Sequence, residues 1–196
     1  MDNNDNSIKN KILNASKEVF RRYGYAKVSM DDLSKAAGMA RSSLYYYYKS
    51  KKSVFSEVVI EECADVMDIA VQKTSIKNSL EGNFINYNQA KIKQLNLKFK
   101  EYNHIIMDLR TDNESLYYFR NFMRVKEEYA LSQLIQWAIK NKEISMINHG
   151  DMNAILSGII DVFSIFDLEL FLLGKVERFT PRLKNQVSMV CEWLHS

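Results

Sequence analysis

The sequence has little with which to break helices or close β-turns: one proline, Pro181, and six glycines in 196 residues. Hairpins and tight turns have few of the residues they need, so an all-α fold is expected. Cysteine is scarce too. Cys63 and Cys191 lie far apart within helical patterns, which excludes a disulfide framework and a zinc knuckle and marks both as reduced core thiols. The three histidines, His104, His149 and His195, are dispersed with no metal-ligand spacing, and the chain has neither a glycine-rich phosphate loop nor a nucleophile elbow. No catalytic residue, metal or cofactor is expected. The N-terminal stretch Met1 to Ser7 is polar and acidic where an export signal needs a basic end and an apolar run, so a cytosolic protein is expected. No apolar run is long enough to span a bilayer uninterrupted. The best candidate, Ala154 to Gly174, contains Asp161, Asp167 and Glu169, and a carboxylate near a bilayer centre costs about 2.5–3.5 kcal/mol. It reads as a buried helix.

What the chain does have is an uneven charge distribution. Residues 1–60 hold eleven Lys/Arg against six Asp/Glu, a surplus of five positive charges, while the remainder holds sixteen against eighteen, a deficit of two. Positive charge is concentrated where a polyanion would be met.

Ile8, Ile12, Ala15, Val19 and Tyr23 recur at spacings of three and four and predict a first helix, stopped by Gly24 in the left-handed conformation of a helix C-terminus, with Tyr25 supplying an apolar contact. Ser29, followed by Asp32, predicts a capped second helix from Met30 to about Ala37. Gly38 closes it, and after Met39 and Ala40 a third helix starts with Arg41, Ser42, Ser43 and Leu44. Two short helices around a glycine-containing turn form a helix-turn-helix. Ser50 is a cap for a fourth helix from Lys51 to about Val71. Beyond it, Thr74 to Gly82 reads as a connection. Helices are expected from Phe84 to about Leu109, from an Asp112 or Asn113 cap to about Asn141, over 151–173, and from Thr180-Pro181 to about Trp193. The predicted architecture has about nine helices: a helix-turn-helix domain over 7–52, the fourth helix as connector over about 51–71, and a larger helical body over 53–196.

A helix-turn-helix places its second helix in the major groove, which calls for short polar or basic side chains near that helix's start and phosphate donors around it. Arg41, Ser42, Ser43 and the tyrosine hydroxyls of Tyr45 to Tyr48 meet this demand, while Leu44 and Tyr48, four apart, are expected to pack inward. Lys51 and Lys52 sit in the first turn of the next helix, where the dipole disfavours a cation by roughly 0.3–1 kcal/mol each. A DNA phosphate would offset that, drawing on the lysines and on the free N–H groups of the turn.

From Ile8 to Val59 the chain resembles the tetracycline-repressor (TetR) family of bacterial regulators. The likeness is carried by Arg22-Tyr23-Gly24-Tyr25, by Val28-Ser29-Met30-Asp31-Asp32-Leu33-Ser34-Lys35-Ala36-Ala37-Gly38-Met39, and by Ser43-Leu44-Tyr45-Tyr46-Tyr47-Tyr48-Lys49-Ser50-Lys51. The resemblance implies that Tyr45 and Lys51 touch phosphate and that Arg41 to Ser43, Tyr46 and Tyr47 face the groove. The expected DNA-contact set is Ser29, Ala40, Arg41, Ser42, Ser43, Tyr45, Tyr46, Tyr47, Lys51 and Lys52. Three positions depart from the family pattern. Ala40 stands where Ser is frequent and loses a helix cap, Tyr48 replaces Phe and needs a partner or an edge for its hydroxyl, and Lys52 replaces Glu.

The resemblance further implies a homodimer on an inverted-repeat DNA site, joined through about 151–173 and 181–194. The apolarity of the first of these helices all round its circumference agrees. It also implies a transcription regulator, preferentially a repressor, whose body takes a small apolar effector. Tyr87, Tyr102, Met107, Tyr117, Phe122, Trp137, Asp161 and Phe163, with Met123 and Phe166, are the candidate lining, although aromatics and methionines at helical spacing also serve as plain core. Asp161, on a polar stripe with Ser157 and Ser164, is a candidate partner for a cationic group, for the dimer axis or for solvent. The alternative is a DNA-binding dimer that works through a protein partner, or as an activator, with no small molecule.

Overall fold

Each helix begins and ends where local chemistry allows. The computed structural model describes residues 3–103, 106–107 and 113–195, with 3, 4, 113–116, 118–120, 122 and 149 in backbone only. Among these residues the helices are α1 (Asn3–Lys27), α2 (Met30–Ala36), α3 (Arg41–Tyr47), α4 (Lys51–Val71), α5 (Leu80–Glu101), α6 (Asn113–Lys140), α7 (His149–Leu173) and α8 (Phe179–His195). That is eight where about nine were expected, and no strand occurs among the described residues. The chain gathers into two units, residues 1–63 with 98–119 and residues 64–97 with 120–196.

In the first unit, Ser29 and Asp32 form the reciprocal capping box anticipated from their spacing. The Asp32 N–H donates to Ser29 Oγ at 3.3 Å and the Ser29 N–H to Asp32 Oδ2 at 2.9 Å. Gly38 ends α2 with φ +63°, a conformation that disfavours any residue with a Cβ. Gly24 interrupts α1 as expected but not in the anticipated conformation. Its φ of 77° and ψ of 173° lie outside the left-handed helical well, and the chain makes a further turn to Lys27. Tyr25 does pack back, its ring 6.3 Å from Phe20 and 4.7 Å from Phe55.

The buried face of α1 is rotated from the predicted stripe: Ile12, Leu13, Ser16 and Phe20 are buried, whereas Tyr23 is half exposed with the Arg22 guanidinium over its ring. The cause is Phe20, which the predicted stripe omitted and which meets Phe55 edge to face at 5.2 Å. With Leu33, Leu44, Val54 and Val58 also buried, this core fixes α1 to α3 and the start of α4. Each such side chain contributes about 1.5–3 kcal/mol of hydrophobic stabilisation.

In the second unit, α5 starts at Leu80, earlier than the expected Phe84, because Ser79 caps it. Its hydroxyl accepts from the Gly82 N–H and its carbonyl from the Asn83 N–H. α5 ends at Glu101, and the expected continuation to Leu109 and the Asp112 cap fall outside the described residues or at their margin. Asn148 caps α7 by accepting from the Asp151 N–H at 3.0 Å, and Gly174 closes it in the left-handed conformation. α8 begins at Phe179, one residue before the expected Thr180-Pro181, because the turn is made at Arg178, with φ +48°.

Phe84, Tyr87, Leu131, Leu134, Ile159, Phe163, Phe166 and Val187 build the core, with Phe84 and Phe163 5.6 Å apart. The remaining side of α7 is left open: Val162, Ile165, Leu168, Leu172 and Leu173 are exposed, as are Met189 and Trp193 of α8. Each unit holds one buried free thiol, Cys63 in the first and Cys191 in the second.

Replacing Gly38 with Ala places a Cβ in open space, its nearest neighbour being Lys11 Nζ at 3.9 Å, so only backbone strain should register. We expect a loss of about 1–2 kcal/mol in denaturant titrations at unchanged slope.

Candidate nucleic-acid interface

The first unit presents α3 on a support of buried side chains. Leu44 is fully buried and Tyr48 nearly so, as their spacing of four predicted, which turns the opposite face outward. On that face Ala40, Arg41, Ser42, Ser43 and Tyr46 are exposed and Tyr45 and Tyr47 half-buried. The Arg41 guanidinium lies 5.6 Å from the Tyr45 ring centre, and Tyr46 and Tyr47 meet edge to face at 5.0 Å. Tyr47 also donates to Asp5 Oδ1 of α1 at 3.4 Å, a contact the sequence did not suggest. Lys49 caps the far end of α3 by donating to the Tyr45 carbonyl at 3.2 Å, a cation where the helix dipole favours one. The near end has no such help: Ala40 occupies the N-cap position without a side-chain hydrogen bond. Ser29 is exposed, with its hydroxyl committed to the capping box.

The start of α4 is capped as expected, the Ser53 N–H donating to Ser50 Oγ at 3.1 Å. The dipole penalty on Lys51 is met inside the chain. Its ammonium donates to the Tyr25 carbonyl at 2.8 Å and sits 4.3 Å from that ring's centre. An ammonium has three donors, so this tether positions Lys51 without exhausting it. Lys52 is half-buried beside it. The Tyr48 hydroxyl, expected to reach an edge or a partner, is buried with no hydrogen bond of good geometry. Burial first, and the Glu57 carboxylate second, push its ionisation above the ordinary phenol range.

Farther along, the first unit contains a charge network. Glu62 of α4 pairs with Lys17 of α1 at 3.1 Å and with Lys98 near the end of α5. Burial disfavours the Glu62 carboxylate, yet the two lysines outweigh it and hold it below the ordinary carboxylate value.

The candidate effector residues divide between the units. Tyr102, Met107 and Tyr117 belong to the first, where Tyr102 is buried and the other two exposed. In the second unit Tyr87 and Phe163 are wholly buried and Trp137 half-buried, while the side chain of Phe122 lies outside the described residues. Tyr87 donates to the Met67 sulfur at 3.2 Å. Asp161 is exposed and meets a cation of its own chain. Arg124 donates to it at 2.7 Å and to Ser157 Oγ at 2.5 Å. A groove of about 420 Å3 in this unit is walled by Glu81, Ser188, Cys191, Glu192 and His195, none of them an expected lining residue. Among the described residues no group of three or more His, Cys, Asp or Glu is placed to hold a metal, and no helix is long and apolar enough to cross a membrane.

Sequence reasoning missed a buried cluster in the second unit, where Lys91 of α5 meets Glu127 of α6 and Asp167 of α7. The available signal was periodic. Lys91 falls on the stripe of Phe84, Asn88 and Leu95, all of them buried.

A capped helix, a glycine-closed turn and a second short helix turned outward define a helix-turn-helix of the DNA-binding kind. A family model for bacterial regulatory proteins of the tetR family matches residues 12–58. The biofilm-operon negative transcriptional regulator IcaR of Staphylococcus aureus is 29% identical over 72 residues, covering 37% of this chain and 38% of that relative. The transcriptional regulator QacR of the same organism is 35% identical over 57 residues, covering 29% and 30%. The chain therefore matches less than two fifths of either relative's length. Likeness in fold extends much further. A Mesorhizobium loti protein assigned to the TetR-family regulators superposes with a TM-score of 0.67 at 18% identity, over 98% of this chain and 97% of that one. A transcriptional regulator from Cytophaga hutchinsonii gives 0.60 at 22% identity, over 94% and 97%.

Tyr48→Phe should remove the orphaned hydroxyl without opening space, as the cost of desolvating an unpaired group disappears. We expect stability to rise by about 1 kcal/mol in denaturant titrations. A loss instead would show that the hydroxyl has a partner.

Proposed function

We propose that this chain is a sequence-specific DNA-binding transcriptional repressor of the bacterial cytosol, acting as a homodimer on an inverted-repeat operator and released by a small apolar effector in its helical body. The supporting observation is the presentation of α3, in the segment that the tetR-family model matches, with Arg41, Ser42, Ser43 and Tyr46 exposed over a buried Leu44. In this proposal Arg41 to Ser43, Tyr46 and Tyr47 read base edges, and Tyr45, Lys51 and Lys52 hold phosphate, with Ser29 and Ala40 at the rim of the contact. One helix-turn-helix spans few base pairs, so useful specificity calls for two copies. The exposed apolar side chains of α7 and α8 are the surface we assign to the dimer, because an uncovered row of that size would otherwise face water. The DNA-binding domain is taken as 7–52 and the body as 53–196.

Repression follows the role of IcaR as a negative regulator. The effector half of the proposal draws on the aromatic body. The complete burial of Tyr87 and Phe163 favours the second possibility, a dimer that works through a protein partner, or as an activator, with no small molecule.

Selection of bound duplexes from random DNA should return an inverted repeat. Against that site Lys51→Ala should weaken binding to all sequences about equally and flatten the salt dependence by about one unit of slope, whereas Arg41→Ala should change the preferred bases at a cost of about 1–3 kcal/mol. The opposite division of effects would overturn the assignment of roles.

A further inference from the structure

The cluster of Lys91, Glu127 and Asp167 carries an uncompensated charge. Lys91 has no exposed side-chain surface, Glu127 has 2% and Asp167 15%. The ammonium donates to Glu127 Oε1 and, at 2.9 Å, to Asp167 Oδ2. One cation between two carboxylates leaves a net charge of minus one at a site that meets solvent only at part of Asp167, and the second oxygen of Asp167, itself buried, finds no hydrogen bond among the described residues. A buried ion group of this kind is tolerated only when its charges balance. The simplest balancing ligand is a proton shared by the two carboxylates.

Among the described residues, the cations with recorded partners nearby are committed elsewhere. Lys91 and Tyr87 come from α5, the Tyr87 ring centre lying 5.9 Å from the ammonium, and Glu127 comes from α6. On α8, Arg182 is engaged with Glu169 and with the Glu177 carbonyl. Arg124 of α6 is spent on Asp161 and Ser157. Burial disfavours the Lys91 ammonium, but the two carboxylates outweigh it and keep it charged.

We propose that the Lys91–Glu127–Asp167 cluster is a proton-binding site through which the helical body, and with it DNA binding, responds to pH near neutrality. The second clause rests on the function proposed above; the first does not. Lys91 shares its helix, α5, with Lys98. Lys91 is seven residues, two turns, before Lys98, and Lys98 pairs with Glu62 of α4, which also holds Lys17 of α1.

Burial and, to a lesser degree, the Glu127 charge push the Asp167 carboxyl up to about 7, against the pull of Lys91. That is above the ordinary carboxyl value of about 4. The folded chain therefore holds more protons than the unfolded one between about pH 4 and 7. Stability from this cluster falls with rising pH across that window and is level above it.

The test compares wild type, Asp167→Asn and Glu127→Gln, each variant leaving one ammonium facing one carboxyl group. Relative to either variant, the melting temperature of wild type should fall by about 5 °C from pH 5 to 7 and run parallel beyond. Curves parallel throughout would overturn the proton site. So would an Asp167 carboxyl carbon signal, identified by its loss in D167N, that titrates at the ordinary carboxylate value. If one variant fails to fold, the other carries the comparison.

For the second clause, a duplex selected by wild type should bind at least about fivefold more weakly at pH 8 than at pH 6. Both variants should change less than twofold. Equal pH responses in all three proteins would overturn the coupling to DNA. A protein that binds no duplex at either pH would sink the proposed function together with the coupling, while the melting comparison still judges the proton site.

Discussion

The geometry of the first unit depends on Tyr25. Its ring is packed against Phe20 and Phe55, and its carbonyl and ring face together receive the Lys51 ammonium. One residue thus joins the end of α1 to the beginning of α4, and α2 and α3 are held between those two points by Leu33, Leu44 and Val54. Gly24 makes this possible. Its positive φ breaks α1 at the place where Tyr25 must turn back toward Phe20. An interior of aromatic and aliphatic side chains, rather than any single hydrogen bond, then holds α3 outward with its polar face to solvent.

The two units handle charge in opposite ways. In the first, Glu62 is shared by two lysines at a partly exposed site, where ion pairs are weak one by one and solvent screens them. In the second, two carboxylates share one lysine where there is almost no solvent, and the same type of contact becomes expensive unless its charges balance. The three carboxylates that argued against α7 as a membrane span each meet a base of their own unit: Asp161 with Arg124, Asp167 with Lys91, Glu169 with Arg182.

The helix-turn-helix was legible in the sequence because its determinants are local. A capping box needs only Ser29 and Asp32, a positive φ needs Gly38, and a spacing of four between Leu44 and Tyr48 sets which face of α3 is hidden. Local patterns failed where partners come from distant elements. The true inward face of α1 depends on Phe20 meeting Phe55, and the offset of the Lys51 charge on a carbonyl 26 residues earlier. Lys91, Glu127 and Asp167 are too far apart in sequence for any window to join them. The start of α5 was legible in principle, since Ser79 is an ordinary cap, but Gly82 drew attention away from it.

The two thiols set apart in the fold have a further use. Burial pushes Cys63 up to about 12 and Cys191 up to about 11, so at neutral pH only about one sulfur in ten thousand or fewer is ionised and able to attack an alkylating reagent. Cys63 lies buried in the first unit while Cys191 borders the groove of the second, so the speed at which Cys63 is capped clocks the transient unfolding of its own unit, with no engineered label.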